Sequence, residues 1–194
     1  GMVKKFSKKF INIFTMNNIL KFTILSGLLF CTTITQGQSI TKDPETRIKE
    51  LGITLRTPGS PSANFVGAVR VGNIIYLSGH GPLKADGEYM KGKVGNEFNL
   101  EQAQAAARLT GINLLEALKA EVGNLNNVKR IVKVLGMVNA IPTFDQHSQV
   151  INGFSDLMVE VFGDRGRHAR SAIGLGSLPM NIPVEIEMIV EMKE

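Results

Sequence analysis

The densest group of chemically versatile side chains lies in residues 164–171, Asp-Arg-Gly-Arg-His-Ala-Arg-Ser. Guanidinium groups bind carboxylates and phosphates through paired hydrogen bonds, so this segment could hold an anion. Arg165 and Arg167 also fit a solvated turn. Arg170 differs because it directly precedes a predicted strand, where a charged side chain needs a partner. We therefore interpret Arg170 as the centre of a candidate anion site.

Glu185 is the carboxylate that the spacing offers to Arg170. It lies 15 positions later, across a turn predicted at residues 178–181, so two strands running past each other would bring the side chains together. In the alternative interpretation, Glu185 belongs with Glu187 and Glu191 to the water-facing side of an outer strand. The sequence leaves both interpretations open.

Other residues that could form a metal site or act as a nucleophile give only a weak signal. His80, His147 and His168 are scattered and lack the spacing of a zinc motif, so we expect no metal. Ser78 and Ser171 are possible nucleophiles, but no His or Asp is tied to either by spacing. The sequence thus argues against a serine hydrolase.

Residues 1–37 have the composition of an export leader. Basic residues come first, and an apolar stretch follows over residues 19–31, too short for a comfortable membrane span. Small and polar residues then precede Gln38, where a signal peptidase could cut. We predict a leader over 1–37 and one domain over 38–194, exported to the periplasm or secreted.

Three alternatives to a cleaved leader stay open. Cys31 follows the apolar stretch and could accept a lipid, although Phe30 is bulky for such a site. The stretch could also stay uncleaved as an anchor, or the leader could go unused and leave the protein cytoplasmic. In each case membrane contact is expected only through the leader.

The charge balance changes once the leader is set aside. The chain has 22 basic and 17 acidic residues, and five of the basic ones are lysines in residues 1–37, which leaves 17 of each sign. A neutral domain has no global attraction for nucleic acid, so we expect no nucleic-acid partner. The single Cys also lies in the leader, which excludes thiol chemistry from the domain.

The first half of the domain predicts one short helix and a β-hairpin. Asp43-Pro44-Glu45 opens a helix to about residue 51, because Asp caps and Pro fits the first turn. Strands at residues 65–71 and 74–78 meet at Gly72-Asn73, a hairpin signal. Residues 79–95 are rich in Gly and charge and predict a mobile or ligand-facing loop, with an edge strand near Tyr89.

Two longer helices follow in the second half. Asn99 and Gln102 match a capping box, and an apolar stripe continues to Gly123. Thr143 and Gln146 repeat the cap pattern, and the second stripe ends at Gly163. Small residues in the first of these helices indicate close packing against a sheet.

Strands at residues 128–138, 171–175 and 184–192 complete the set, the last with strict alternation of apolar and acidic residues. Two helices on one face of a mixed, mainly antiparallel sheet is the α+β arrangement that we predict.

Four segments carry a resemblance to a known family. The C-terminal part, residues 169–174 (Ala-Arg-Ser-Ala-Ile-Gly), Leu178-Pro179 and residues 184–187 (Val-Glu-Ile-Glu), resembles the signature of the Rid/YjgF reactive intermediate deaminases, also called L-PSP endoribonucleases. Residues 71–79 are similar to that family's second-strand motif. The resemblance covers about residues 60–191.

The resemblance implies a chorismate-mutase-like fold and a homotrimer with clefts between subunits. It implies that Arg170 holds a substrate carboxylate and that Glu185 positions or activates water, with Phe65, Ser78, His80 and Ser171 as further substrate contacts. The reaction implied is hydrolysis of a 2-imino or enamine acid to a 2-keto acid and ammonia, without a cofactor.

Two residues depart from the family pattern. Phe65 stands where many members carry an aromatic hydroxyl, and His80 where Gln is common. Three hypotheses therefore stay open: a cofactor-free deaminase, a non-catalytic binder or sensor of small carboxylates, and an endoribonuclease. The charge balance and the lack of Trp disfavour the last, because single-stranded RNA is held by positive charge and by stacking on aromatic rings.

Overall fold

The computed structural model describes residues 43–59 and 63–194, and the leader predicted over 1–37 lies outside them. The described elements form an α+β fold in the predicted order. The helices are α1 (Pro44–Glu50), α2 (Leu100–Val122) and α3 (His147–Phe162). The strands are β1 (Ala68–Val71), β2 (Ile74–His80), β3 (Val128–Asn139), β4 (Ala169–Leu175) and β5 (Val184–Met192). Within these residues, no helix is long and apolar enough to cross a bilayer.

The five strands form one mixed sheet with the order β1-β2-β5-β3-β4. All neighbouring pairs are antiparallel except β3 and β4, which are parallel and joined by α3, since a parallel pair needs a long crossover. β4 is therefore an edge strand, and β3 separates it from β5. This order decides which predicted site residues can meet.

The sheet has one covered face and one open face. Helices α2 and α3 pack on the covered face, where β5 buries alternate side chains from Val184 to Met192, as its alternation predicts. The opposite face, here called the open face, carries Tyr76, Leu135, Ile173 and Ile189. Tyr76 is 48% exposed and Ile173 41% exposed, so apolar surface stays uncovered in one chain.

The helix ends agree with the sequence except at the start of α3. The capping box of Asn99 and Gln102 is present, and Gly123 and Gly163 end α2 and α3. The cap predicted at Thr143 is wrong: α3 begins at His147 without a side-chain cap. Residues 141–144 instead form a turn, closed by a 3.0 Å hydrogen bond from the Phe144 amide to the Ile141 carbonyl.

The small residues of α2 serve packing against α3 as well as against the sheet. A Cβ on Gly111 would lie 2.9 Å from a Leu157 methyl carbon, and a Cβ on Gly153 would lie 2.1 Å from the carbonyl oxygen of Gln104. The two helices approach this closely only because Gly stands at both positions. Close packing was predicted against the sheet, and the structure adds the helix–helix contact.

The loop after β2, predicted to be mobile or ligand-facing, is anchored at its start. Asn113 donates to the carbonyls of Gly81 and Leu83, at 3.0 and 3.2 Å. Arg56 donates to the Lys84 carbonyl and pairs with the buried Glu116 at 2.9 Å. Near Tyr89 the structure has a single bridge to Leu83 and no longer strand.

Candidate functional site

Arg170 lies near the start of edge strand β4 and extends along helix α3. Its guanidinium donates to the Asn152 side-chain oxygen at 3.0 Å, to the Ser155 hydroxyl at 2.9 Å and to the Ser148 carbonyl at 3.3 Å. All three acceptors are neutral. Within the described residues, Arg170 takes part in none of the ion pairs, so its charge is oriented but not neutralised.

His168 extends this network from the other side of Ser155. Its Nε2 lies 3.0 Å from the Ser155 hydroxyl oxygen, and its Nδ1 lies 2.7 Å from the Gly166 carbonyl oxygen. Because a carbonyl only accepts, Nδ1 carries the proton and Nε2 accepts from Ser155. Burial, and then the charge of Arg170, lower the pKa of His168, which keeps the ring neutral.

The partnership predicted between Arg170 and Glu185 is wrong for a single chain. β3 lies between their strands, with Arg170 opposite Val134 and Glu185 opposite Met137. Positions an odd number apart on a strand point to opposite faces, so Arg170 faces the helices and Glu185 the open face. Two strands that are close in sequence are therefore not neighbours in this sheet.

Glu185 lies against the bulge in β2 that contains Gly79. A Cβ on Gly79 would lie 2.2 Å from a Glu185 carboxylate oxygen, so the carboxylate fills the place of a side chain there. Burial, and then the charge of Glu187, raise the pKa of Glu185. Among the described residues, no cation lies within ion-pair distance of this carboxylate. Glu185 therefore retains a proton at a higher pH than an ordinary carboxyl group.

Ser78 and His80 flank Gly79, and both are hydrogen-bonded. The Ser78 hydroxyl donates to the Val66 carbonyl at 2.7 Å, and His80 Nδ1 lies 2.8 Å from the Ser78 carbonyl oxygen. The strand register shifts between Leu77 and His80, so the backbone bulges at this position. β-Bulges are common beside active sites.

Ser171 and Phe65 lie apart from Arg170. The Ser171 hydroxyl accepts from Lys133 Nζ at 3.1 Å on the open face. A cavity of about 480 Å³ opens there, lined by Tyr76, Lys133, Leu135, Ser171, Glu187 and Ile189 among others. Phe65 precedes β1, which begins at Ala68, and is 55% exposed. In one chain the predicted residues thus divide between the covered side and the open face.

The sequence analysis missed the residues of α3 that hold Arg170. Ser148, Asn152 and Ser155 follow each other at intervals of four and three, so they share one face of the helix. In the sequence, this polar row beside the apolar stripe of α3 is the feature that could have indicated the partners of Arg170. Its significance depends on β4 lying next to α3, which the pattern of one chain did not reveal.

The side chains of the described residues offer anion binding and proton transfer. Within residues 43–59 and 63–194, no group of three His, Cys, Asp or Glu side chains could hold a metal ion. Arg170 can hold a carboxylate, and Glu185 can exchange a proton at a higher pH than an ordinary carboxyl group.

Comparisons with known proteins agree with this fold. The family model for "YjgF/chorismate mutase-like, putative endoribonuclease" matches residues 45–192. Protein TCP17 of Trypanosoma cruzi is 38% identical over 146 residues, covering 75% of this chain and 91% of that protein.

Two solved structures extend the comparison. Atu1372 of Agrobacterium tumefaciens, a protein of unknown function, is 41% identical with a TM-score of 0.70, covering 77% of this chain and 91% of its own. A protein of Shewanella oneidensis, described as a putative endoribonuclease, is 28% identical with a TM-score of 0.74, covering 78% of this chain and 100% of its own. Since the family match spans most of its length, this chain belongs to the YjgF/L-PSP family.

Proposed function

We propose that this protein hydrolyses small 2-imino or enamine carboxylic acids to 2-keto acids and ammonia, with Arg170 holding the substrate carboxylate. The observation that carries the proposal is the state of Arg170. Its guanidinium is fixed by three neutral acceptors of α3 and pairs with no carboxylate of the described residues. A charge held in this way is suited to an external carboxylate.

The reaction needs little beyond positioning and proton transfer. Water adds to the carbon of the C=N bond, and the resulting carbinolamine releases ammonia and leaves the 2-keto acid. Glu185 is suited to move a proton between water and nitrogen, because its raised pKa lies closer to neutral pH than that of an ordinary carboxyl group. We propose no cofactor or metal for this step.

We further propose that the site forms between copies of this chain, in a homotrimer. Arg170 and Glu185 face opposite sides of one sheet, so a pocket using both needs Glu185 from a second copy. The uncovered apolar side chains of the open face, such as Tyr76 and Ile173, support association through that face. We also propose that the protein is exported through residues 1–37.

The test is ammonia release from 2-iminopropanoate generated in situ, using protein that begins at Gln38. We expect acceleration over buffer, and a loss of about a hundredfold or more in kcat/KM for Arg170→Ala, because a positioned charge on the substrate is removed. Arg167→Ala is the matched control, since the Arg167 side chain is 72% exposed and its one ion pair among the described residues is with Asp164, three positions earlier. Equal rates with and without enzyme would refute the proposal.

Phe65 favours a second candidate, a binder of small carboxylates without turnover. Its ring lacks the hydroxyl that the family resemblance implies at this position, and it is exposed. A binder predicts a higher melting temperature with pyruvate, lost in Arg170→Ala, together with no ammonia release. RNA cleavage is ranked last because the domain is charge-balanced, and absence of RNA binding at low salt would eliminate it.

A further inference from the structure

We infer that Ser155 and His168 act as positioning residues that fix the orientation of the Arg170 guanidinium. The chain of contacts runs in one direction: Arg170 donates to Ser155, Ser155 donates to His168, and His168 donates to the Gly166 carbonyl. The distances are 2.9, 3.0 and 2.7 Å. The inference rests on the proposed function in that Arg170 is taken as the carboxylate-binding group.

The arrangement holds only while His168 is neutral. With Nδ1 donating to Gly166, Nε2 accepts the Ser155 proton, and the Ser155 oxygen is left with lone pairs for Arg170. A protonated ring would instead donate from Nε2, so that Ser155 loses the acceptor for its own proton, and it would place a second positive charge beside Arg170. Linked hydrogen bonds of this kind also polarise one another, so loss of one weakens the next.

The same atoms could be read as a nucleophile and its base. A Ser–His contact of 3.0 Å meets the distance requirement for such a pair. However, the Ser155 oxygen already accepts from Arg170, and Ser155 lies within helix α3, whose amides are engaged in helical hydrogen bonds and cannot stabilise an oxyanion. The geometry therefore favours positioning over nucleophilic attack.

Two substitutions separate positioning from simple packing. His168→Phe keeps an aromatic ring beside Phe154, which the His168 ring contacts edge-on, but removes the acceptor. His168→Gln provides a side-chain oxygen near the place of Nε2. Ser155→Ala removes the link itself. We expect Ser155→Ala and His168→Phe each to weaken pyruvate binding about tenfold, the effect of one hydrogen bond on a charged group.

The double variant Ser155→Ala/His168→Phe should bind no more weakly than either single variant, because the two residues act as one unit. His168→Gln should recover most of the affinity. In turnover assays the effect should fall on KM more than on kcat. Additive losses, an unchanged affinity in Ser155→Ala, or labelling of Ser155 by a fluorophosphonate would overturn the inference.

A readout without ligand keeps this test separate from the proposed function. ¹⁵N NMR of the free protein should show His168 with the proton on Nδ1 at neutral pH, and Ser155→Ala should shift the Nε2 resonance. Slow rotation of the Arg170 guanidinium should be visible in the wild type and faster in Ser155→Ala, where Asn152 and Ser148 remain as acceptors. If pyruvate fails to bind at all, the proposed function fails, while these spectra still decide whether Ser155 and His168 orient Arg170. A proton on His168 Nε2 would refute that positioning role.

Discussion

The carboxyl group of Glu185 reduces the stability of the folded chain at neutral pH. Burial and the nearby Glu187 raise its pKa, so the folded chain binds a proton that the unfolded chain has already released. Stability therefore falls as pH rises from the unfolded pKa, about 4.3, through the higher folded pKa, and stays lower above it. Such a penalty is typical of a functional carboxyl group.

Glu185→Gln should therefore raise the melting temperature at pH 7. The amide has a similar shape but no charge, which removes the penalty of ionising a half-buried group. The gain should shrink as pH falls towards 4, because the wild-type carboxyl is then protonated in both states. Thermal unfolding of both proteins from pH 4 to pH 8 measures this difference.

Glu191 on the same strand offers a control of opposite sign. A hydrogen bond from Lys129 lowers its pKa, so the charged form stabilises the fold above the unfolded pKa. Glu191→Gln should lose stability at pH 7 and lose little near pH 3. If both variants gained stability, the gain would be a general effect of replacing a carboxylate by an amide. That result would contradict a specific penalty for ionising Glu185.

Single residues were predictable from sequence where the chemistry is local. Arg170 stands out because a charged group entering a strand is unusual, and its selection needed no knowledge of the sheet. Its partners needed that knowledge: Asn152 and Ser155 lie on a helix that the chain brings alongside β4 only through the parallel crossover. The interpretation that pairs Glu185 with Arg170 fails because nearness along the chain does not make two strands neighbours in the sheet.

At the scale of elements, the closeness of α2 and α3 depends on Gly153. Gly→Ala in a helix interior usually stabilises a protein by about 0.5–1 kcal/mol. Here the added Cβ would lie 2.1 Å from the backbone oxygen of Gln104, which cannot rotate away as a side chain could. Gly153→Ala should therefore destabilise the fold by about 1–3 kcal/mol.

Urea unfolding measures this prediction as a lower midpoint with an unchanged slope. Gly67→Ala is the control, because no atom lies within 4 Å of its added Cβ and its backbone is not left-handed. Its effect should stay within about 0.5 kcal/mol. A stabilised Gly153→Ala protein would mean that α3 can shift away from α2 at no cost.

Helices and strands were predictable where the hydrophobic periodicity and the residues that terminate an element agree. β5 has the predicted bounds, and α2 ends at the predicted Gly123, because strict alternation and a helix-terminating glycine are local signals. β4 begins two residues before its predicted start, at Ala169, because the charged Arg170 gives no local strand signal and the pairing with β3 is set elsewhere in the chain. Thr143 does not cap α3 because residues 141–144 form a turn before the helix begins.

At the scale of the whole molecule, one chain carries the two halves of the proposed site on opposite faces. Arg170 lies at the edge strand on the helix side, while Glu185 lies on the open face beside Gly79. A head-to-tail ring of identical copies can place the edge of one chain against the open face of the next. Activity would then depend on assembly, and not on the fold of one chain alone.

Subunit mixing tests this arrangement. Arg170→Ala and Glu185→Gln should each be inactive alone. When the two are unfolded together and refolded at equal amounts, about a quarter of the sites in a head-to-tail ring should pair an intact Arg170 with an intact Glu185 from the next copy. Ammonia release should recover to that fraction of the wild-type rate. A mixture of separately refolded variants is the control and should stay inactive. No recovery after joint refolding, in a mixture shown by sedimentation to contain mixed oligomers, would mean that Arg170 of one copy and Glu185 of the next do not form the site.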